Sequence, residues 1–291
     1  MKFRRVGPKC PCLVCQKPDW CLRAKDDSAS ICARVESEHR IPNSGWLHRH
    51  RRDGKRRRRR TFRVGKSPAA KPSVDWPALA AQCEKAMSAD DHRRLSEYLG
   101  VSASSIKRLG VGKHMWTRGR RRLRCWTFPM RNPQGGVVGI RLRPMNGGRK
   151  FCITGSKSGM FVPSGLTGKG PLLIAEGDSD VLAAVDLRFD AIGRPGCMAC
   201  VDMTVRFCRG RDVAIVADND PPQPDGRRPG LDGARRLANW LALVGPSVKI
   251  ILPPEPFKDL RKWYRCGLTR DELLTEIEKT EPLDVEICCA V

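Results

Sequence analysis

The chain has 291 residues, which leaves room for about two domains, and its composition, 40% hydrophobic and 30% charged, is that of a globular protein. No run approaches the ~18 consecutive apolar residues of a membrane span, and the basic start Met1–Gly7 has no apolar segment of a secretory signal behind it, so the expected compartment is the cytoplasm, in association with the nucleoid. Lys and Arg number 55 against 31 acids, a net charge of +24; such a surface attracts polyanions by counterion release, which makes nucleic acid the expected partner and a membrane surface not.

Residues 1–40 are rich in cysteine, with Cys10, Cys12, Cys15, Cys21 and Cys32 close together. Without an export signal, clustered cysteines point to metal rather than to disulfides. Cys12 and Cys15 have the spacing of a zinc knuckle, and Cys21 and Cys32 can complete a tetrahedral four-thiolate site for structural Zn²⁺. Cys10 and His39 are the spare ligands. A segment this short has little core, so the metal would be its main source of fold. Residues 41–75 contain a basic run from Arg49 to Arg60. It cannot bury itself and reads as a linker, with Arg56, Arg57 and Arg58 as phosphate contacts.

Residues 76–170 read as a mixed, basic subdomain. Leu79, Ala80, Cys83 and Met87 recur at helical spacing after Trp76-Pro77. Ser88 to Asp91 resembles the cap of a second helix, and Ser102 to Leu109 is a third. Short strands follow over Leu123–Phe128, Val137–Arg143 and Lys150–Ile153, separated by Asn-Pro and Gly-Gly turns. Basic residues alternate there with apolar ones, so one face packs and the other, carrying Arg141 and Arg143 with Arg149 and Lys150 nearby, is cationic. Trp116 and Trp126 sit among these arginines; the first could stack on an unpaired base, and the second reads as core.

Residues 171–265 alternate strand and helix. Leu172–Ala175, Asp212–Ala217 and Val248–Leu252 are apolar strands without alternation, as a sheet covered on both faces requires. Asp178–Leu187 and Leu231–Leu243 are the helices between them. The expected fold class is α/β (α+β overall), with a small parallel sheet. Residues 266–291 form a closing helix or tail.

Two of these strands end in acid. The first runs into Glu176-Gly177-Asp178-Ser179-Asp180 and the second into Asp218-Asn219-Asp220. Ligands bind at the carboxyl ends of parallel strands. Carboxylates gathered there repel one another unless a cation compensates, and hard oxygen ligands suit Mg²⁺ or Mn²⁺.

This pair of motifs resembles the TOPRIM domain of bacterial primases, topoisomerases and some nucleases. The resemblance continues outward. Phe128-Pro129-Met130 through Val138-Gly139 is similar to a primase strand pattern, with Arg131 where that pattern has an acid. Arg149-Lys150-Phe151 and Phe161-Val162-Pro163 resemble the segment before TOPRIM, and Lys258-Asp259-Leu260 the signature that closes it. The order of a zinc ribbon-like module, a basic subdomain and a Rossmann-like TOPRIM sheet matches that of DnaG-like primases over residues 10–265, although Val35 stands where the last zinc ligand usually falls. The form resembles the compact primase-like proteins of phages and mobile elements, which lack a helicase.

That resemblance implies a DNA-directed nucleotidyltransferase that makes short primers on single-stranded DNA from nucleoside triphosphates. Glu176, Asp218 and Asp220, with Asp180, would hold the catalytic Mg²⁺ or Mn²⁺. Arg141, Arg143, Arg149, Lys150 and Lys258 would bind template and nucleotide, and a separate replicative helicase is an expected partner. A metal-dependent TOPRIM nuclease and a non-catalytic DNA-binding replication factor remain the alternatives, since the same carboxylates can activate water. A topoisomerase needs a catalytic tyrosine in a second domain, and Tyr98 and Tyr264 lie in none that is recognisable.

Overall fold

The computed structural model describes residues 2–42, 44–50, 74–245 and 247–283. The chain divides into two compact units, Met1–Lys71 and Pro72–Val291. The basic residues Arg56, Arg57 and Arg58, with most of the expected linker, lie outside the described residues.

The first unit is an antiparallel sheet of five short strands, β1 (Phe3–Arg5), β2 (Leu22–Ala24), β3 (Ala29–Cys32), β4 (Arg40–Ile41) and β5 (Gly45–Arg49), in the order β1-β2-β3-β5-β4. Its buried apolar side chains are Cys12, Cys21, Ala24, Ala29, Ile31 and Cys32, too few to stabilise a fold by burial alone. The module does not stop at residue 40, as its composition suggested. β5 pairs with β3 from Ala29↔Arg49 to Cys32↔Trp46, so the linker expected from residue 41 gives its first residues to the sheet. Charge density marked the boundary too early because Arg49, the first of the basic run, still has a ladder partner.

The second unit opens with α1 (Trp76–Lys85), α2 (Ala89–Leu99) and α3 (Ala103–Leu109). Each has a side-chain N-cap: Asp75 accepts from Ala78 N, Ser88 forms a capping box with Asp91, and Ser102 accepts from Ser105 N. α2 and α3 end at Gly100 and Gly110, both in the left-handed region at φ +68° and +70°. An antiparallel sheet follows, β6 (Gly112–Arg118), β7 (Arg121–Arg131), β8 (Val137–Pro144) and β9 (Phe151–Cys152), in sequential order. β6 went unread in the sequence because Gly112, Lys113 and His114 carry no strand pattern; pairing with β7 from Gly112↔Thr127 to Arg118↔Arg121 makes it one.

The parallel sheet comprises β10 (Leu172–Glu176), β11 (Ala191–Arg194), β12 (Val213–Val216) and β13 (Val248–Ile251), in the order β11-β10-β12-β13. The helices α4 (Asp178–Asp186), α5 (Val201–Phe207) and α6 (Pro229–Leu241) alternate with the strands, and α7 (Leu260–Arg265) and α8 (Arg270–Lys279) close the described chain. Leu173, Ala175, Ala214 and Val216 face a core shared with α2, α3, α4, α7 and α8. Leu172, Ile174, Val213 and Ile215 face the other core, with α5 and α6. In the described part of the closing segment, Leu273 and Ile277 of α8 are buried in the first core. The strand order matters for function. From β10 the chain steps to β11 on one side, and β12 lies on the other, so the crevice between the carboxyl ends of β10 and β12 is a topological switch point.

Candidate functional site

The first unit draws four cysteines into one cluster. Cys12 and Cys15 come from the turns after β1, Cys21 precedes β2, and Cys32 closes β3. Their sulfurs all lie within 4.8 Å of one another, with Cys15–Cys21 at 3.7 Å and Cys21–Cys32 at 3.9 Å. A tetrahedral ion with metal–sulfur bonds of about 2.3 Å sets its sulfurs about 3.8 Å apart, so the cluster has the size of a four-thiolate site. Backbone N–H groups of Val14, Ala33 and Val35 donate to the sulfurs of Cys12, Cys21 and Cys32 at 3.4, 3.4 and 3.3 Å. The Arg34 guanidinium lies 3.7 Å from Cys21 Sγ. Burial pushes the Cys21 thiol up to about 12, a penalty that a coordinated cation removes. Cys10 and His39, the spare ligands, stand outside the cluster.

In the second unit, an open cleft of about 320 Å³ runs along the switch point. Glu176 ends β10, Gly177 turns the chain at φ +102°, and Asp178 begins α4. Asp218 follows β12. Glu176, Asp180 and Asp218 line the cleft, as does Asp259, the N-cap of α7. Asp220 stands beside it, its Oδ1 2.9 Å from Lys258 Nζ. Glu176 Oε1 accepts from Cys197 N at 3.0 Å, and Asp180 Oδ1 from Arg261 N at 3.0 Å. These bonds aim the carboxyls without neutralising them.

The electrostatics carry the mark of an uncompensated site. Burial, and then the charges of Glu176, Asp180, Asp259 and Asp220, push the Asp218 carboxyl up to about 8. Burial and Asp259 push Asp180 up to about 6, and burial raises Glu176. Such a group of carboxylates favours a divalent cation. Among the described residues, the cysteine cluster is the one group of three or more such side chains gathered closely enough to hold an ion by themselves; the carboxylates do not form a second.

Arg141 and Arg143 of β8 and Lys150, just before β9, also line the cleft. Two of these cations are not free. Asp178, fully buried, accepts from Arg143 Nη2 and, at 3.0 Å, from Lys150 Nζ. Burial would raise the Asp178 carboxyl, but these cations hold it below its usual range. Arg143 also sits over the Phe128 ring, 5.4 Å from its centroid. The expected cationic face is thus partly an internal ion-pair network that joins the antiparallel sheet to the first turn of α4. The alternation of β8 was read as exposed, whereas Arg143 is buried, its guanidinium against Asp178 and Ser179 in the first turn of α4. Arg141 donates through Nη1 to Pro195 O at 2.7 Å, and its buried Nε has no partner. Arg149 is exposed and does not line the cleft.

Four residues that sequence reasoning left out of the site belong to it: Asp178, Asp259, Arg261 and Tyr98. Asp259 and Asp178 were visible inside recognised motifs, but Arg261 and Tyr98 enter through α7 and α2, and only packing brings those helices to the switch point.

No family model matches the chain, and neither does any curated protein. Solved structures do. A structure of the DnaG catalytic core is similar over 71% of this chain and 79% of that one, at 17% identity and a TM-score of 0.55. A DnaG primase catalytic domain bound to ssDNA matches over 71% and 80%, at 16% identity and 0.53. The Aquifex aeolicus primase, with its zinc-binding and RNA polymerase domains, matches over 72% and 60%, at 14% identity and 0.53. Over about seven tenths of its length, the chain therefore shares the fold of DnaG-type primase catalytic cores.

Proposed function

We propose that this protein is a primase-like nucleotidyltransferase, which joins nucleotides into short primers on a single-stranded DNA template. The observation that carries this reading is the cleft itself: Glu176, Asp180 and Asp218 at the carboxyl edge of the parallel sheet, together with Arg141 and Lys150. Glu176, Asp218 and Asp220 would hold Mg²⁺ or Mn²⁺. That cation supplies charge neutralisation at the triphosphate and orients it. The rest falls to the chain's own groups. Arg141 keeps a free guanidinium edge for a phosphate oxygen, where a fork of donors grips well. Lys150 is held at the cleft wall by Asp178 and brings a second positive charge. Cys197 N and Arg261 N fix the rotamers of Glu176 and Asp180. Lys258 pairs with Asp220 and balances its charge. The four-cysteine cluster would hold structural Zn²⁺, and nucleoside triphosphates would be the substrate. One of the similar structures is bound to ssDNA, which supports the choice of template.

The test is an assay with single-stranded DNA, labelled nucleoside triphosphates and Mg²⁺ or Mn²⁺, read for both extension and cleavage. Extension by the wild-type chain, falling by orders of magnitude in Asp218→Ala while DNA binding stays within about two-fold, is the expected result. Cleavage without extension, lost in the same variant, would make the protein a nuclease.

A further inference from the structure

The four-cysteine module exposes a side chain that its own packing does not use. Trp20 is 78% exposed, more than any other large apolar side chain among the described residues. Its backbone is left-handed, at φ +64°, a region that bulky L-residues rarely enter. Both neighbours are tied down. Cys21 on one side belongs to the buried cluster. Asp19 on the other is bracketed by Arg34, which donates to its carbonyl oxygen at 2.9 Å and to its carboxylate at 2.6 Å, while Cys21 N donates to the same carbonyl at 2.8 Å. Arg34 Nη1 also reaches the sulfurs of Cys15 and Cys21 at 3.9 and 3.7 Å. The loop is therefore braced against the cysteine cluster and holds an indole in water on a strained backbone. Strain of this kind persists where the surroundings over-determine it, and it gathers at binding sites.

The surroundings define what the indole would meet. The loop residues Gln16 to Asp19 are all exposed and include Lys17. Over residues 1–50 there are ten lysines and arginines against five acids, and the basic run begins at Arg49. An apolar protein surface would gain little from such a rim. An unpaired base presents a π face to the indole, and its phosphates suit the cations beside it.

We propose that Trp20 is a stacking platform for an unpaired base of single-stranded nucleic acid, held rigid by Arg34 and the cysteine cluster. This rests on the nucleic-acid-binding part of the function proposed above, and it concerns the amino-terminal module rather than the catalytic cleft. The test uses the full chain, zinc-loaded, and a fluorescent oligo-dT titrated at several salt concentrations, with Trp20→Ala and Trp20→Phe. Both variants should retain wild-type zinc content. Trp20→Ala should bind about five- to a hundred-fold more weakly, the range of one lost base stack. Its slope of log affinity against log salt should stay unchanged, because no phosphate contact is lost. Trp20→Phe should recover most of the affinity. Wild-type affinity in Trp20→Ala, an affinity loss that comes with a shallower salt slope, or loss of zinc would each overturn the proposal. Wild-type protein that fails to bind the oligonucleotide would overturn the functional reading along with it.

Discussion

Asp218 shows how one residue couples folding to metal. Its carboxyl sits at about 8 in the fold against an ordinary value of 3.8, so the native state holds a proton that the unfolded chain releases. A raised acid of this kind costs nothing below the ordinary carboxyl range, destabilises progressively as pH climbs from about 4 to about 8, and costs no more above that. Asp218→Asn should therefore be more stable than wild type at pH 8 without divalent cations, by up to a few kcal/mol. Millimolar Mg²⁺ should raise the melting temperature of the wild type and leave the variant nearly unmoved. Thermal melts at pH 5 and pH 8, with and without Mg²⁺, decide it: a variant less stable than wild type at pH 8 would show that the carboxylate repulsion is absent.

At the scale of the element, the site depends on how closely α4 approaches β11. Gly193 in β11 is the contact point. A Cβ there would stand 2.4 Å from Val181 Cγ2 of α4 and 2.5 Å from the carbonyl oxygen of Gly177. One of these neighbours is backbone, in the turn directly after Glu176, so it cannot yield cheaply. Overpacking of this type costs about 1–3 kcal/mol. Gly193→Ala should lower the melting temperature by several degrees, at roughly 2–4 °C per kcal/mol for a unit of this size. Because the displaced turn carries Glu176, activity should fall further than lost stability explains when it is assayed well below the melting temperature. Unchanged stability would mean that α4 can shift away freely.

Over the whole molecule, the two units are stabilised by different physics. The second has two large apolar clusters, one on each face of its parallel sheet. The first has a core in which Cys12, Cys21 and Cys32 are at once the buried apolar residues and the candidate ligands. A strong chelator should therefore unfold the first unit alone. In hydrogen exchange after chelation, backbone amides of β2, β3 and β5 should lose their protection, while those of β10, β12 and α4 keep it. Protection of β3 that survives complete zinc removal would show that the sheet stands without metal.

The readings that came from sequence alone were those whose physics is local. The helix cap at Ser88, the buried strands β10 and β12, and the acids at their ends can each be read within about ten residues, because periodicity and capping are short-range. The four cysteines were legible for a related reason: their close spacing along the chain is that of metal ligands. What the tertiary structure decided was pairing at a distance. β5 became a strand by meeting β3, β6 by meeting β7, and the short, glycine-containing β11 by meeting β10. Arg143 and Lys150 read as free cations, and became Asp178's partners only when the fold brought the first turn of α4 beside them. A charge's role depends on what lies within a few ångströms of it, and for these residues the nearest opposite charge is 28 to 35 positions away in the chain.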